Sequence, residues 1–271
     1  MVNEKNDLSS VKPDVLSEIG RSIQIMARLR APGGCPWDAA QTPESLLPNL
    51  LEETYEFIDS VKKGDVDEMR EELGDLLLQV IFHAQLASEK GDFDIGDVAR
   101  ELSDKLIRRH PHVFGEVEAN NEQEALSSWL NAKSNEGSHT TSVVAIPASM
   151  PALLRARKVV EKAGKVGFEW ANVNDALIKL NEEVAELKQA ISDGDSDHIN
   201  EELGDVLFMT ACVARYVRKC PELALQSTIA KFINRFSYIE QKLAEEGLTP
   251  EDVSLEKMDG YWDEAKELER K

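Results

Sequence analysis

The sequence predicts an all-α protein made of two tandem copies of one helical-bundle module. Residues Leu50 to Ala84 align without gaps onto Leu180 to Ala214 at an offset of 130, with 14 of 35 positions identical; a self-similarity of that length marks a duplicated unit. Apolar residues recur at helical spacing over long stretches broken by Gly and Pro, and β-branched runs at period two are scarce.

In the first copy, helices are expected near 14–30, 43–62, 66–89, 94–109 and 122–133. Pro32-Gly33-Gly34 stops the first. Pro43 stands where a first-turn proline is tolerated, Lys63-Gly64 closes the second helix, and Pro111 follows the fourth. The second copy repeats the plan near 151–163, 173–192, 196–219, 222–246 and 256–269, with Pro221 at the opening of its fourth helix. Ser134 to Ser149 is rich in Ser, Thr, Gly and Pro and lacks helical periodicity, as a linker does. The expected organisation is a first domain over 1–135, a linker over 136–150 with the boundary near 140, and a second domain over 151–271.

A chain of 271 residues that is 42% hydrophobic has material for two buried cores. The longest apolar stretches, Leu76 to Phe82 and Val206 to Ala214, are interrupted by Gln79 and Thr210. Both fall short of the roughly 18 residues of a membrane span. The opening Met1-Val2-Asn3-Glu4-Lys5 carries an acid and no apolar segment, so no leader is expected and the cytoplasm is the default compartment. Cys35, Cys212 and Cys220 have neither the number of a disulfide framework nor CxxC spacing, and read as buried or idle thiols. A net charge of -20 argues against a nucleic-acid polymer as partner. Small polyphosphates remain open, because divalent cations bridge carboxylates to phosphate.

The chemistry sits in paired acids. Glu53 and Glu56, like Glu183 and Glu186, lie one helical turn apart; Glu72 with Asp75, and Glu202 with Asp205, repeat that spacing on the next helix. A tight Gly-Asp turn (Gly64-Asp65, Gly194-Asp195) makes the two helices neighbours, so four carboxylates per copy can converge. Stacked like charges cost stability unless a cation offsets them, and an all-oxygen set suits magnesium, with manganese as the alternative. The competing reading, acids solvating an exposed face, is weakened by the apolar neighbours of Asp75 (Leu73, Leu76, Leu77, Leu78) and of Asp205 (Leu203, Val206, Leu207, Phe208).

The ordered set from Gly34-Cys35-Pro36-Trp37-Asp38, through both Glu-Glu-x-x-Glu to Glu-Glu-Leu-Gly-Asp units, to Tyr261-Trp262 resembles the MazG family of nucleoside triphosphate pyrophosphohydrolases and covers nearly the whole chain. The resemblance implies hydrolysis of nucleoside triphosphates between the α and β phosphates, a homodimer, and a nucleotide-housekeeping role. It implies metal ligands at Glu183, Glu186, Glu202 and Asp205, with Glu53, Glu56, Glu72 and Asp75 as the first-copy equivalents. Lys179, Lys231 and Arg235 match groups around the phosphates, Trp262 a nucleotide-contacting aromatic, and His198 to Asn200 a stretch near the nucleotide. Glu182 and Glu201 are the candidates to orient or deprotonate the attacking water, and spacing does not choose between them.

The first copy keeps the acid set, but near the presumed phosphate path Lys179 is replaced by Asn49, beside Pro48, which favours the second copy as the more active. Two rivals stand against this reading. A di-iron carboxylate protein would need Glu-x-x-His on the paired helices; there the position is held by Asp75 or Asp205, and none of the five histidines completes either acid pair. A non-catalytic acidic interaction module predicts indifference to divalent metal.

Overall fold

The structure is a computed structural model that describes residues 12–136 and 143–270. The expected boundary at 140 and the opening residues considered for a leader lie outside the described residues. The chain divides into two compact units, Met1–Gly137 and Ser138–Lys271. Among the described residues every regular element is helical, and no helix is long and apolar enough to cross a membrane.

The first unit holds α1 (Pro13–Arg30), α2 (Pro36–Ala40), α3 (Leu47–Lys63), α4 (Val66–Lys90), α5 (Ile95–Arg109), α6 (Pro111–Phe114) and α7 (Glu122–Ser134). The second holds α8 (Ala152–Gly164), α9 (Val173–Asp193), α10 (Ser196–Tyr216), α11 (Pro221–Glu245) and α12 (Leu255–Leu268). In each unit one helical pair dominates the packing, α3 with α4 and α9 with α10. Two residues join each pair. Gly64 and Gly194 close the preceding helix in the left-handed region (φ 71° and 72°), where a side chain is disfavoured. Asp65 and Asp195 then cap the next helix, each carboxylate accepting from two backbone N–H groups. The Gly-Asp repeat is thus a stop signal fused to a start signal, and so short a connection folds each pair back on itself.

The cores are separate. Met26, Leu46, Ile81, Phe82 and Leu86 cluster in the first unit, and Val160, Ala176, Met209 and Cys212 in the second. Burial pushes the Cys212 thiol up to about 11, while Cys35 and Cys220 are half-buried, and all three are free thiols.

Several expected ends move. The second helix starts at Leu47 rather than near Pro43, because Thr42 and Ser45 exchange backbone-to-hydroxyl bonds (2.9 and 3.2 Å) in a turn that delivers Leu46 to the core. Pro48, not Pro43, is therefore the first-turn proline. Helix α10 ends at Tyr216 instead of 219, since Arg218 turns into the left-handed region (φ 56°) and the Lys219 N–H returns to the Ala214 carbonyl. Helices α2 and α6 are too short to leave a periodic signal. Within the stretch expected as linker, Val143–Ala145 forms a 3-10 turn against α8 and Ile146 is buried. Gly34 is demanded by packing: a Cβ there would lie 2.1 Å from the Leu29 carbonyl oxygen and 2.6 Å from that of Arg28.

Candidate active site

Glu183 and Glu186 on α9 and Glu202 on α10 each offer a carboxylate oxygen within 4.8 Å of the others. Glu53 and Glu56 on α3 and Glu72 on α4 do the same in the first unit. The inner acids of the second unit are nearly enclosed, Glu183 at 7% exposure and Glu202 at 8%, whereas Glu186 is exposed. Asp205 is exposed and stands outside its cluster, and so does the half-buried Asp75. The neighbours expected to wall in Asp205 are open within one chain, Leu203 and Leu207 among them.

The two clusters differ electrostatically. Lys179 reaches forward one turn to Glu183 (3.0 Å) and Glu182 (3.3 Å), and those hydrogen bonds raise its own pKa. Its counterpart Asn49 carries no charge. Without that cation, burial first and then the charges of Asp75, Glu56 and Glu72 lift the Glu53 carboxyl above its ordinary value; burial and the charge of Glu56 do the same to Glu72. Glu186 is also raised, first by a hydrogen bond shared with Glu183.

A cation fits the second cluster on an observation independent of charge counting. Glu202 Oε1 lies 3.0 Å from His198 Nε2, but Glu202 Oε2 is buried with no hydrogen-bond partner. A buried acceptor left unmade costs about 1–3 kcal/mol, and an oxygen-preferring divalent ion would satisfy it together with the two neighbouring carboxylates. His198 therefore orients an acid from the first turn of α10. Asn200 and Glu201 are exposed and their side chains make no hydrogen bond among the described residues, while the exposed Glu182 is tied to Lys179.

The remaining predicted residues form a second group. Lys231 and Arg235 share a face of α11, and the Arg235 guanidinium lies 5.3 Å from the ring centroid of Trp262 on α12. Trp262 leans on Phe232 at 5.1 Å. Glu269, which sequence reasoning missed, receives hydrogen bonds from Arg235 Nε (3.1 Å) and Nη2 (2.6 Å). The first unit repeats this with Arg109, Trp129 and Glu136. The signal was present: a glutamate follows each tryptophan at the same interval of seven residues. No hydrogen bond or ion pair among the described residues joins this group to the acid cluster.

Against known proteins, a family model described as the MazG nucleotide pyrophosphohydrolase domain matches residues 41–114 and 173–239. The chain belongs to the MazG family. The chain is 42% identical over 262 residues to a nucleoside triphosphate pyrophosphohydrolase of Escherichia coli (strain K12), covering 94% of this chain and 99% of that protein. It is 44% identical over 246 residues to the nucleoside triphosphate pyrophosphohydrolase/pyrophosphatase MazG of Thermotoga maritima, covering 90% and 94%. A solved mazG-related protein from Thermotoga maritima aligns at 28% identity over 45% of this chain and 99% of its own, with a TM-score of 0.35. In this MazG chain the matched segments enclose both acid clusters together with Arg109 and Arg235. Trp129, Glu136, Trp262 and Glu269 lie beyond them.

Proposed function

We propose that this MazG chain hydrolyses nucleoside and deoxynucleoside triphosphates between the α and β phosphates, giving a nucleoside monophosphate and pyrophosphate. The breadth of substrate suits a cytoplasmic enzyme that cleans the nucleotide pool. The observation that carries this reading is the buried, unpartnered oxygen of Glu202, a member of an all-oxygen acid cluster with a lysine anchored beside it. The activity for which the family is named supports the same conclusion.

In this reading Glu183, Glu186 and Glu202, with Asp205 from the next turn, hold magnesium, or manganese in its place. When bound, the ion neutralises charge on the phosphoryl oxygens and lowers the pKa of water. Lys179 is held at the rim of the cluster by Glu183 and turns its ammonium to the phosphates. Lys231 and Arg235 grip the polyphosphate, and Trp262 offers a face to the base. Glu182 or Glu201 takes the proton of the attacking water as its oxygen bonds to the α-phosphorus; the bond from the α-phosphorus to the bridging oxygen breaks, and pyrophosphate leaves with that oxygen. Glu53, Glu56, Glu72 and Asp75 hold a metal in the first unit, where Asn49 supplies no rim cation, so turnover belongs mainly to the second.

A homodimer is part of the proposal. Leu203, Leu207 and Phe208 on α10 and Ile229 and Ile233 on α11 are open in the single chain. Apolar area of that extent is covered by a second copy at little polar cost.

The test is product analysis of the wild type, Glu53→Ala and Glu183→Ala with mixed NTPs and dNTPs, in magnesium and in chelator. The expected result is monophosphate plus pyrophosphate from the wild type, lost in chelator and in Glu183→Ala and largely kept in Glu53→Ala. No turnover by the wild type refutes the enzyme reading and leaves the acidic interaction module.

A further inference from the structure

We infer that Glu269 is a positioning residue for substrate binding: it holds the Arg235 guanidinium by its side edge against Trp262, so that the adjoining end edge is presented to the polyphosphate. The inference rests on the phosphate role proposed for Arg235.

The geometry distinguishes the two edges. A guanidinium carries five N–H donors in a rigid plane, with a side edge formed by Nε and one Nη, and an end edge formed by the two Nη atoms. Glu269 takes the side edge, accepting from Nε at 3.1 Å and from Nη2 at 2.6 Å. Nη1 makes no hydrogen bond among the described residues. One face of the plane rests on Trp262 at 5.3 Å. The end edge, which matches two phosphate oxygens, is left available.

The first unit builds the same device from the same atoms. Arg109 donates from Nε (3.0 Å) and Nη2 (2.7 Å) to Glu136, and its guanidinium lies 5.5 Å from the ring centroid of Trp129. The two arginine side chains are equally enclosed, at 19% exposure each. Chance ion pairs on two surfaces would not choose the same donor atoms, the same stacked ring and the same Trp-to-Glu interval. The carboxylate does not consume the arginine either. It removes rotamer freedom before substrate arrives, lowering the ordering cost of binding, and it leaves Nη1 and the second N–H of Nη2 to the phosphates.

The experiment is steady-state hydrolysis by the full chain in magnesium, with whichever of the four ribonucleoside triphosphates the wild type turns over fastest. Wild type, Arg235→Ala, Glu269→Ala and the double variant are compared, with Glu269→Asp as the conservative rescue and thermal melting as the folding control. Glu269→Ala is expected to raise KM about tenfold with kcat changed less than about twofold, as loss of one charged orienting bond would do. Glu269→Asp restores part of that loss. The double variant binds no worse than Arg235→Ala, because the hydrogen bonds of Glu269 go to Arg235 and Lys231 is only an electrostatic neighbour.

A KM that is unchanged or falls in Glu269→Ala overturns the inference; a fall would mean that Glu269 competes with phosphate. Additive losses in the double variant overturn it as well. If Glu269→Ala does not fold, Glu269→Gln, which keeps the shape and one acceptor, is read by the same cycle. The parent reading fails separately: it is Arg235→Ala with a wild-type KM that removes Arg235 from the substrate site.

Discussion

Replacing Glu202 by Gln should make the protein more stable without metal and less stable with it. Glu202 is 8% exposed; its Oε1 is satisfied by His198 at 3.0 Å, and its Oε2 is buried without a partner among other carboxylates. An unmade buried hydrogen bond costs about 1–3 kcal/mol. An amide nitrogen at the Oε2 position would replace this orphan acceptor with a donor in a cluster of carboxylates and remove one of its charges, relieving that cost. For a unit the size of Ser138–Lys271, each kcal/mol moves the melting temperature by roughly 3–5 °C. Calorimetry of the full chain in chelator should therefore show the second-unit transition of Glu202→Gln at least about 3 °C above the wild type. In magnesium the order reverses. A ligand at about a thousand times its Kd stabilises the wild type by about 4.1 kcal/mol, more than the roughly 1–3 kcal/mol relieved in the variant, and the variant, having lost a buried anionic ligand, gains much less. A variant that melts below wild type in chelator would show that the carboxylate is already satisfied, and one that responds to magnesium as wild type does would remove Glu202 from the metal site.

Two further outcomes follow from packing and charge. Gly34→Ala must push its Cβ into the Leu29 and Arg28 carbonyl oxygens, which belong to backbone and cannot swing away; urea unfolding should show a loss of about 2–4 kcal/mol in the first unit. The control is Gly20→Ala in α1, where nothing lies within 4 Å; helix propensity alone should add about 0.5–1 kcal/mol there. Equal effects at the two positions would contradict the steric account. Glu136 is held at about 2, well below its ordinary 4.5, by hydrogen bonds from Arg109 and then Arg108. Because the folded value lies below the unfolded one, this contribution is complete above the unfolded value of 4.5 and is lost as pH falls from there towards 2. Melting curves across that window should drop more steeply for the wild type than for Glu136→Gln, and parallel curves would show that the pair adds nothing to stability.

Much of the architecture was legible because its signals are local. The fused stop and start at Gly64-Asp65 and Gly194-Asp195 depends only on a left-handed glycine and a capping carboxylate, so the sequence shows where each helical pair folds back. Apolar periodicity gave α4 and α9 to within a residue or so. It failed at Pro43, where a Thr42–Ser45 turn competes with helix initiation and wins because it buries Leu46.

The acids show the same division. Sequence spacing determined which carboxylates share a helical face, since 3.6 residues per turn place Glu183 with Glu186 whatever surrounds them. It equally determined the duplication and the loss of a rim cation at Asn49. Only the tertiary structure decided that Glu202 joins them with one oxygen unpaired while Asp205 stays exposed, because burial depends on how far α10 is rotated against α9. It also decided that Glu136 and Glu269 hold the arginines, residues 27 and 34 positions away along the chain. A pairing of that range depends on how separate helices pack, and no helical period records it.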